Sequence, residues 1–130
     1  MGKNKSRILL IEDDQDQINM YQFKFEKEGF EFLAARNGKD GLNMAKTLRP
    51  DLILLDLVLI NENGIEVMEK LKALPETKTI PVIILTNLAK KTMKERSKEL
   101  GSVDFIIKTQ ISPADLVKRV KAVLEKNIKI

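Results

Sequence analysis

Short runs of branched aliphatic residues recur along the chain, and two of them end in acids. Ile8-Leu9-Leu10-Ile11 runs into Glu12, Asp13 and Asp14, and Leu52-Ile53-Leu54-Leu55 runs into Asp56. Apolar runs without alternation suit strands covered on both faces, as in parallel sheets. The pattern predicts strands over 7–12, 31–35, 51–56, 81–86 and 103–107, and helices over 15–28, 38–48, 64–73, 89–99 and 113–126. Strands alternating with helices are repeated βα units, so the class is α/β with a parallel sheet.

The last helix is the clearest. Ser112 can cap it, Pro113 suits its first position, Asp115 favours its positive end, and Leu116, Val117, Val120, Val123 and Leu124 form one apolar stripe. Leu42, Ala45 and Leu48 stripe the second helix, and Asn37-Gly38, Asn63-Gly64 and Leu100-Gly101 are turn or cap signals. In the first helix Tyr21 and Phe25 are expected to face the sheet, with Ile18 and Phe23 pointing elsewhere. Asp14 and Asp16 fall where acids favour the start of that helix.

With 130 residues the chain fits a single domain over 1–130, with a core of about 6–126 and frayed ends expected at residues 1–5 and 127–130. It has no Cys and no His, so disulfides, thiolates, imidazole bases and zinc triads are excluded, and any chemistry runs on carboxylates, hydroxyls, lysines and a hard metal. The basic start MGKNKSR precedes only four apolar residues, which makes neither a signal peptide nor a membrane span. Gly2 and Ser6 superficially fit an acylation pattern, but the first strand begins at once and leaves no free arm. A net charge of +4 permits weak association with anionic surfaces, but 5% aromatic residues offer no base-stacking platform, so nucleic acid is not an expected partner; no membrane partner is expected either, and the expected location is cytoplasmic.

In a parallel sheet, ligands sit beyond the carboxyl ends of the strands. There the pattern puts Glu12, Asp13, Asp56, Thr86 and the neighbourhood of Lys108. Each has an ordinary reading when taken singly: the aspartates as cap or turn acids, Thr86 as a strand-end residue, Lys108 as a solvated charge. Together, in successive strand order, they are chemically complementary and mark a site. Two or three carboxylates can hold Mg²⁺ through oxygen. Asp56 can then attack phosphorus, with Lys108 as a fixed positive charge and Thr86 as a hydroxyl donor to the phosphoryl group.

On these residues the chain resembles a response regulator receiver domain, over nearly its whole length. The match comprises the acid pair Glu12-Asp13, Asp56, Thr86 and Lys108 after successive strands, Phe105 three residues before that lysine, and Gly64 eight residues past Asp56. The resemblance implies a flavodoxin-like doubly wound (βα)5 fold of sheet order 2-1-3-4-5. It implies a two-component or phosphorelay switch in which Asp56 accepts phosphoryl from the phosphohistidine of a histidine kinase or histidine phosphotransfer protein. It also implies Mg²⁺ held by Asp13, Asp56 and the backbone carbonyl of Val58, with Glu12 acting through a water. Thr86 and Phe105 would be the switch residues, and the fourth helix, fifth strand and fifth helix the face shown to a downstream protein. Val58 and Leu88 occupy the positions that tune dephosphorylation; both are apolar, which predicts a long-lived phosphorylated form.

The departures also carry expectations. Leu59-Ile60 stands where the family usually has Met-Pro, with Asn63 where aspartate is common, predicting a less rigid loop. Thr109 follows Lys108 in place of proline, and a non-proline cis bond costs about 3 kcal/mol, so a trans bond is expected. Asn87 replaces the usual small residue and predicts crowding of phosphoryl entry or interference with the inward motion of Thr86. These departures keep a rival open, a degenerate receiver serving as an unphosphorylated binding scaffold. A phosphohydrolase of the haloacid dehalogenase type would need an acid two residues after Asp56, where Val58 stands. Lys90, Lys91, Lys94, Arg96 and Lys98 with Lys118, Arg119 and Lys121 are either solvated helix faces or an output face for an acidic partner.

Overall fold

The computed structural model describes residues 5–126. The elements run β1 (Arg7–Ile11), α1 (Gln15–Lys27), β2 (Glu31–Ala35), α2 (Gly38–Leu48), β3 (Leu52–Leu55), the short β4 (Val58–Leu59) and β5 (Glu62–Asn63), α3 (Gly64–Ala73), β6 (Val82–Thr86), α4 (Lys91–Glu99), β7 (Asp104–Ile107), a 3₁₀ turn (Lys108–Gln110) and α5 (Pro113–Lys126). The main sheet is parallel, in the order β2-β1-β3-β6-β7. With the antiparallel β4–β5 hairpin set aside, this is the 2-1-3-4-5 order of a flavodoxin-like fold. The expected frayed ends and the Gly2 acylation pattern lie outside the described residues, apart from Lys5 and Ser6.

The period of two along each strand sorts the side chains into two cores. Ile8, Leu10, Leu52, Leu54, Ile83 and Leu85 meet α1 and α5 through Ile18, Tyr21, Phe25, Leu116, Val117 and Val120. Leu9, Ile11, Ile53, Leu55, Val82 and Ile84 meet α2 and α3 through Ala45, Ile65, Val67, Met68 and Leu71. Each fully buried aliphatic contributes about 2 kcal/mol of transfer free energy, and the central strands β1, β3 and β6 are buried along nearly their whole length.

Ile18 is buried, contrary to the expected off-face position, because residues 18, 21 and 25 follow the i, i+3, i+7 spacing of one helical face. Phe23 is exposed, with the Lys27 ammonium 5.9 Å from its ring centroid. The α2 stripe holds at Ala45 but fades at Leu48, which is exposed at the helix end. Asp14 caps α1 by accepting from the backbone of Asp16 and Gln17, Asn37 and Asn63 cap α2 and α3, and Ser112 Oγ accepts from Asp115 N at 3.1 Å. Gly101 turns the chain out of α4 at φ +99°, where a side chain would be strained. Helix α4 starts two residues later than predicted: Lys90 is extended and gives no side-chain cap, and Ser97 is its only buried residue.

Candidate functional site

Strand register delivers the acids to one place. Ile11 pairs with Leu55, so Glu12 and Asp56 leave the sheet side by side. Asp56 N donates to Ile11 O at 3.1 Å and Glu12 N to Ala35 O at 3.0 Å, extending the ladders by one residue. Thr86 ends β6 opposite Ile107, so Lys108 follows on the same edge. The five polar residues expected at this edge are all there.

Asp56 is 4% exposed and Glu12 1% exposed, and both depend on one ammonium. Lys108 Nζ donates to Asp56 Oδ2 at 2.7 Å and to Glu12 Oε1. The other oxygen of Asp56, Oδ1, accepts from Thr86 Oγ1 at 2.7 Å and from Val58 N at 2.9 Å. Thr86 Oγ1 accepts in turn from Leu88 N at 3.2 Å, so the hydroxyl proton is directed at the aspartate. Burial pushes the Glu12 carboxyl up from its ordinary range, against the pull of Lys108 and the N–H of Asp14. Burial alone would depress the Lys108 ammonium, but its bonds to Asp56 and Glu12 outweigh that and raise it. The lysine is therefore a permanent cation at neutral pH.

Asp13 is half-buried and held at both ends. Its Oδ2 accepts from Ile60 N at 2.6 Å, and its backbone carbonyl accepts from Arg36 Nη2 at 2.9 Å and Nε at 3.3 Å. The segment around Leu59-Ile60, expected to be a less rigid loop, is instead the β4–β5 hairpin, in which Val58 pairs with Asn63 and Leu59 with Glu62. Asn61 takes φ 58° at the turn, which asparagine tolerates better than most residues. Glu62 Oε1 accepts from Gly38 N at 2.7 Å, tying the hairpin to the start of α2. Gly64 N donates to Leu57 O at 2.9 Å, and a Cβ at Gly64 would lie 2.6 Å from Asp56 O. Only glycine lets α3 begin this close beneath the aspartate. The contributions of Ile60, Arg36 and Glu62 were invisible in residue types; the one signal for Ile60 was a non-proline residue, hence a free N–H, at a position where proline is usual.

Asn87 and Thr109, two of the departures, turn out to be partners. Thr109 N donates to Asn87 Oδ1 at 3.2 Å, a bond that a proline at 109 or a small apolar residue at 87 would preclude. All peptide bonds among the described residues are trans, Lys108-Thr109 included. The Asn87 side chain thus ties the two loops together and also lines the site. A cleft of about 350 Å³ opens over the acids, lined by Glu12, Asp13, Asp56, Val58, Leu88 and Lys108 among others. Phe105 does not reach it. That ring is half-buried and lines a larger cavity of about 680 Å³ between α4, β7 and α5, together with Lys90, Lys91, Lys94, Lys118 and Arg119. The larger cavity is lined by one carboxylate, Asp115, while the buried acids Glu12 and Asp56 line the smaller cleft, so size does not identify the chemical site here.

The acidic edge suits one hard cation. Among the described residues no three acidic side chains converge as a preformed cage. Glu12 is turned to Lys108, which leaves the carboxylates of Asp13 and Asp56 with the nearby backbone. Mg²⁺ commonly takes one or two carboxylates and fills its octahedron with carbonyl, water and phosphate oxygens, so this donor set fits it.

A flavodoxin-like α/β fold with a lysine-bridged acidic site at the carboxyl edge of its sheet defines the structural class. The sequence model of the response regulator receiver domain matches residues 8–121. Protein PilH of Pseudomonas aeruginosa is 34% identical over 119 residues, covering 92% of this chain and 98% of that protein. The alkaline phosphatase synthesis transcriptional regulatory protein PhoP of Bacillus subtilis is 32% identical over 121 residues, but the chain spans only 49% of its length. Among solved structures, a CheY-like response regulator receiver domain protein from Methanospirillum hungatei superposes with a TM-score of 0.88 at 27% identity, covering 95% of this chain and 96% of that one. The chain belongs to the response regulator receiver domain family, the signalling domains of two-component systems.

Proposed function

We propose that this chain is a cytoplasmic phosphoacceptor switch, a receiver domain over residues 1–130 that takes phosphoryl from a phosphohistidine onto Asp56. The observation that carries the reading is the pair of contacts on the Asp56 carboxylate: Lys108 on Oδ2 and the Thr86 hydroxyl on Oδ1. An Asp56 oxygen attacks phosphorus, the P–N bond to the donor imidazole breaks, and its electron pair stays on that nitrogen. The resulting acyl phosphate carries negative charge on its terminal oxygens, which the Lys108 ammonium and the Thr86 hydroxyl are within reach to bind. Asp13, Asp56 and the Val58 carbonyl, with Glu12 in support, would hold Mg²⁺, which would supply further positive charge to those oxygens. The donor is a histidine kinase or a histidine phosphotransfer protein.

Thr86 cannot serve the aspartate and the phosphoryl group in the same position, so its hydroxyl follows the phosphoryl and draws residues 86–88 inward. Phe105, half-buried at the rim of the larger cavity, moves in behind it. This is a two-state shift biased by local charge. The face that changes is α4–β7–α5; Lys118 and Arg119 there pair with Asp115 and Asp104, and the remaining basic rim of Lys90, Lys91 and Lys94 suits an acidic downstream protein. Val58 and Leu88 line the cleft with apolar side chains that do not orient an attacking water, so the acyl phosphate is expected to be long-lived.

The test is incubation with a small phosphodonor and Mg²⁺ followed by intact-mass measurement. The reading expects one added phosphoryl group, absent from Asp56→Asn. No added mass, under conditions that modify another receiver domain, would favour the unphosphorylated scaffold, for which the Asn87–Thr109 tie across the two loops is the supporting observation.

A further inference from the structure

We infer that the backbone N–H of Ile60 is a positioning group for the metal-site carboxylate of Asp13, one that this chain possesses because residue 60 is not proline. The inference rests on the phosphoacceptor reading, in which Asp13 is a Mg²⁺ ligand. Ile60 N lies 2.6 Å from Asp13 Oδ2, a charge-assisted hydrogen bond. Two residues earlier Val58 N donates to Asp56 Oδ1 at 2.9 Å, so one short segment holds both carboxylates that would ligate the metal.

The donor is fixed rather than opportunistic. The β4–β5 pairing, the buried Leu59 side chain and the Glu62 bond to Gly38 N at 2.7 Å set the position of residue 60. Its side chain, 70% exposed, adds little, which leaves the N–H as the functional part of Ile60. On the far side Arg36 pins the carbonyl of Asp13 at 2.9 Å. With Oδ2 engaged, Oδ1 is left as a single oriented oxygen for the cation. Hydrogen bonds that orient a ligating carboxylate commonly change metal affinity by about 10–100-fold when removed. The same bond keeps a negatively charged side chain from swinging away from Asp56 and Glu12 while no cation is present to hold it.

The test titrates the full chain with MgCl₂ and follows backbone amide shifts by NMR, with no phosphoryl chemistry involved. Saturable shifts around Asp13 and Asp56 in the native protein establish the site; their absence would overturn the phosphoacceptor reading itself, and this inference with it. Given a site, Ile60→Pro removes the donor and should weaken Mg²⁺ binding by about tenfold, whereas Ile60→Ala, which keeps the N–H, should restore most of the difference. Equal or tighter binding by Ile60→Pro than by Ile60→Ala would overturn the inference. If Ile60→Pro does not fold, hydrogen exchange at the Ile60 amide of the native protein decides. Protection retained at saturating Mg²⁺ supports a bond that orients the ligand. Protection lost on binding means that the cation displaces the N–H, and the inference fails.

Discussion

Replacing Lys108 by Met keeps most of the side-chain length and removes only the ammonium that Glu12 and Asp56 share. Its Nζ is 2.7 Å from Asp56 Oδ2, and a unit pair at that separation is worth about 6 kcal/mol at an effective dielectric of about 20. Desolvation of the buried ions offsets a large part of that gain, so the pair itself contributes modestly. Breaking it from one side is different, because two carboxylates 1% and 4% exposed are then left facing each other without a counter-charge. The expected loss at pH 7 is about 3–5 kcal/mol, a large share of the roughly 5–15 kcal/mol that a domain of this kind possesses. Urea unfolding followed by circular dichroism measures it. Two controls identify the cause. Acidification should narrow the gap between variant and native protein, because Glu12, already pushed up by burial, loses the ammonium that opposes that push. Added Mg²⁺ should narrow it too, because acids that have lost their ammonium bind the cation more tightly than the native site does, and the folded variant gains more from it. A loss below about 1 kcal/mol, typical of an exposed pair, or a gap indifferent to both acid and Mg²⁺, would mean that Lys108 does not neutralise the two buried acids.

Three further outcomes are expected. Lys108 is raised above its ordinary value of 10.5, so its contribution to stability is complete below 10.5 and is lost as pH rises through the folded-state value; urea midpoints measured from neutral into strongly alkaline pH should fall there, and Lys108→Met should lack that component. Gly64→Ala places a Cβ 2.6 Å from Asp56 O and should cost about 2–3 kcal/mol in urea unfolding, with slower phosphoryl uptake because the aspartate backbone must shift. Asn87→Ala removes an acceptor between two exposed residues, so stability should change by less than about 0.5 kcal/mol while hydrogen exchange at the Thr109 amide quickens.

Much of this architecture is written in local pattern. Runs such as Ile8–Ile11 and Leu52–Leu55 are apolar on both faces because helices cover both sides of the sheet, and the acids that end them mark the carboxyl edge. Side-chain chemistry was therefore enough to bring Glu12, Asp13, Asp56, Thr86 and Lys108 to one edge. Backbone chemistry was not legible. The β4–β5 hairpin has strands of two residues, too short for any periodicity, and the Ile60–Asp13 bond uses a group that every residue but proline carries. Asn87 and Thr109 looked like separate departures because their pairing spans two loops far apart in sequence. Ile18 belongs to the buried face of α1 through its spacing to Tyr21 and Phe25, a signal that the nearby off-face Phe23 obscures.

Site mapping after phosphodonor treatment decides whether Asp56 is the acceptor. Borohydride reduces an aspartyl phosphate to the alcohol, converting the residue to homoserine, and peptide mass spectrometry then locates it. After treatment with a small phosphodonor and Mg²⁺, homoserine is expected at position 56 alone, with the neighbouring acids Glu12, Asp13 and Asp14 left unreduced. Reduction at any of those acids in place of Asp56, or at none while another receiver domain is modified in parallel, would contradict that role for Asp56.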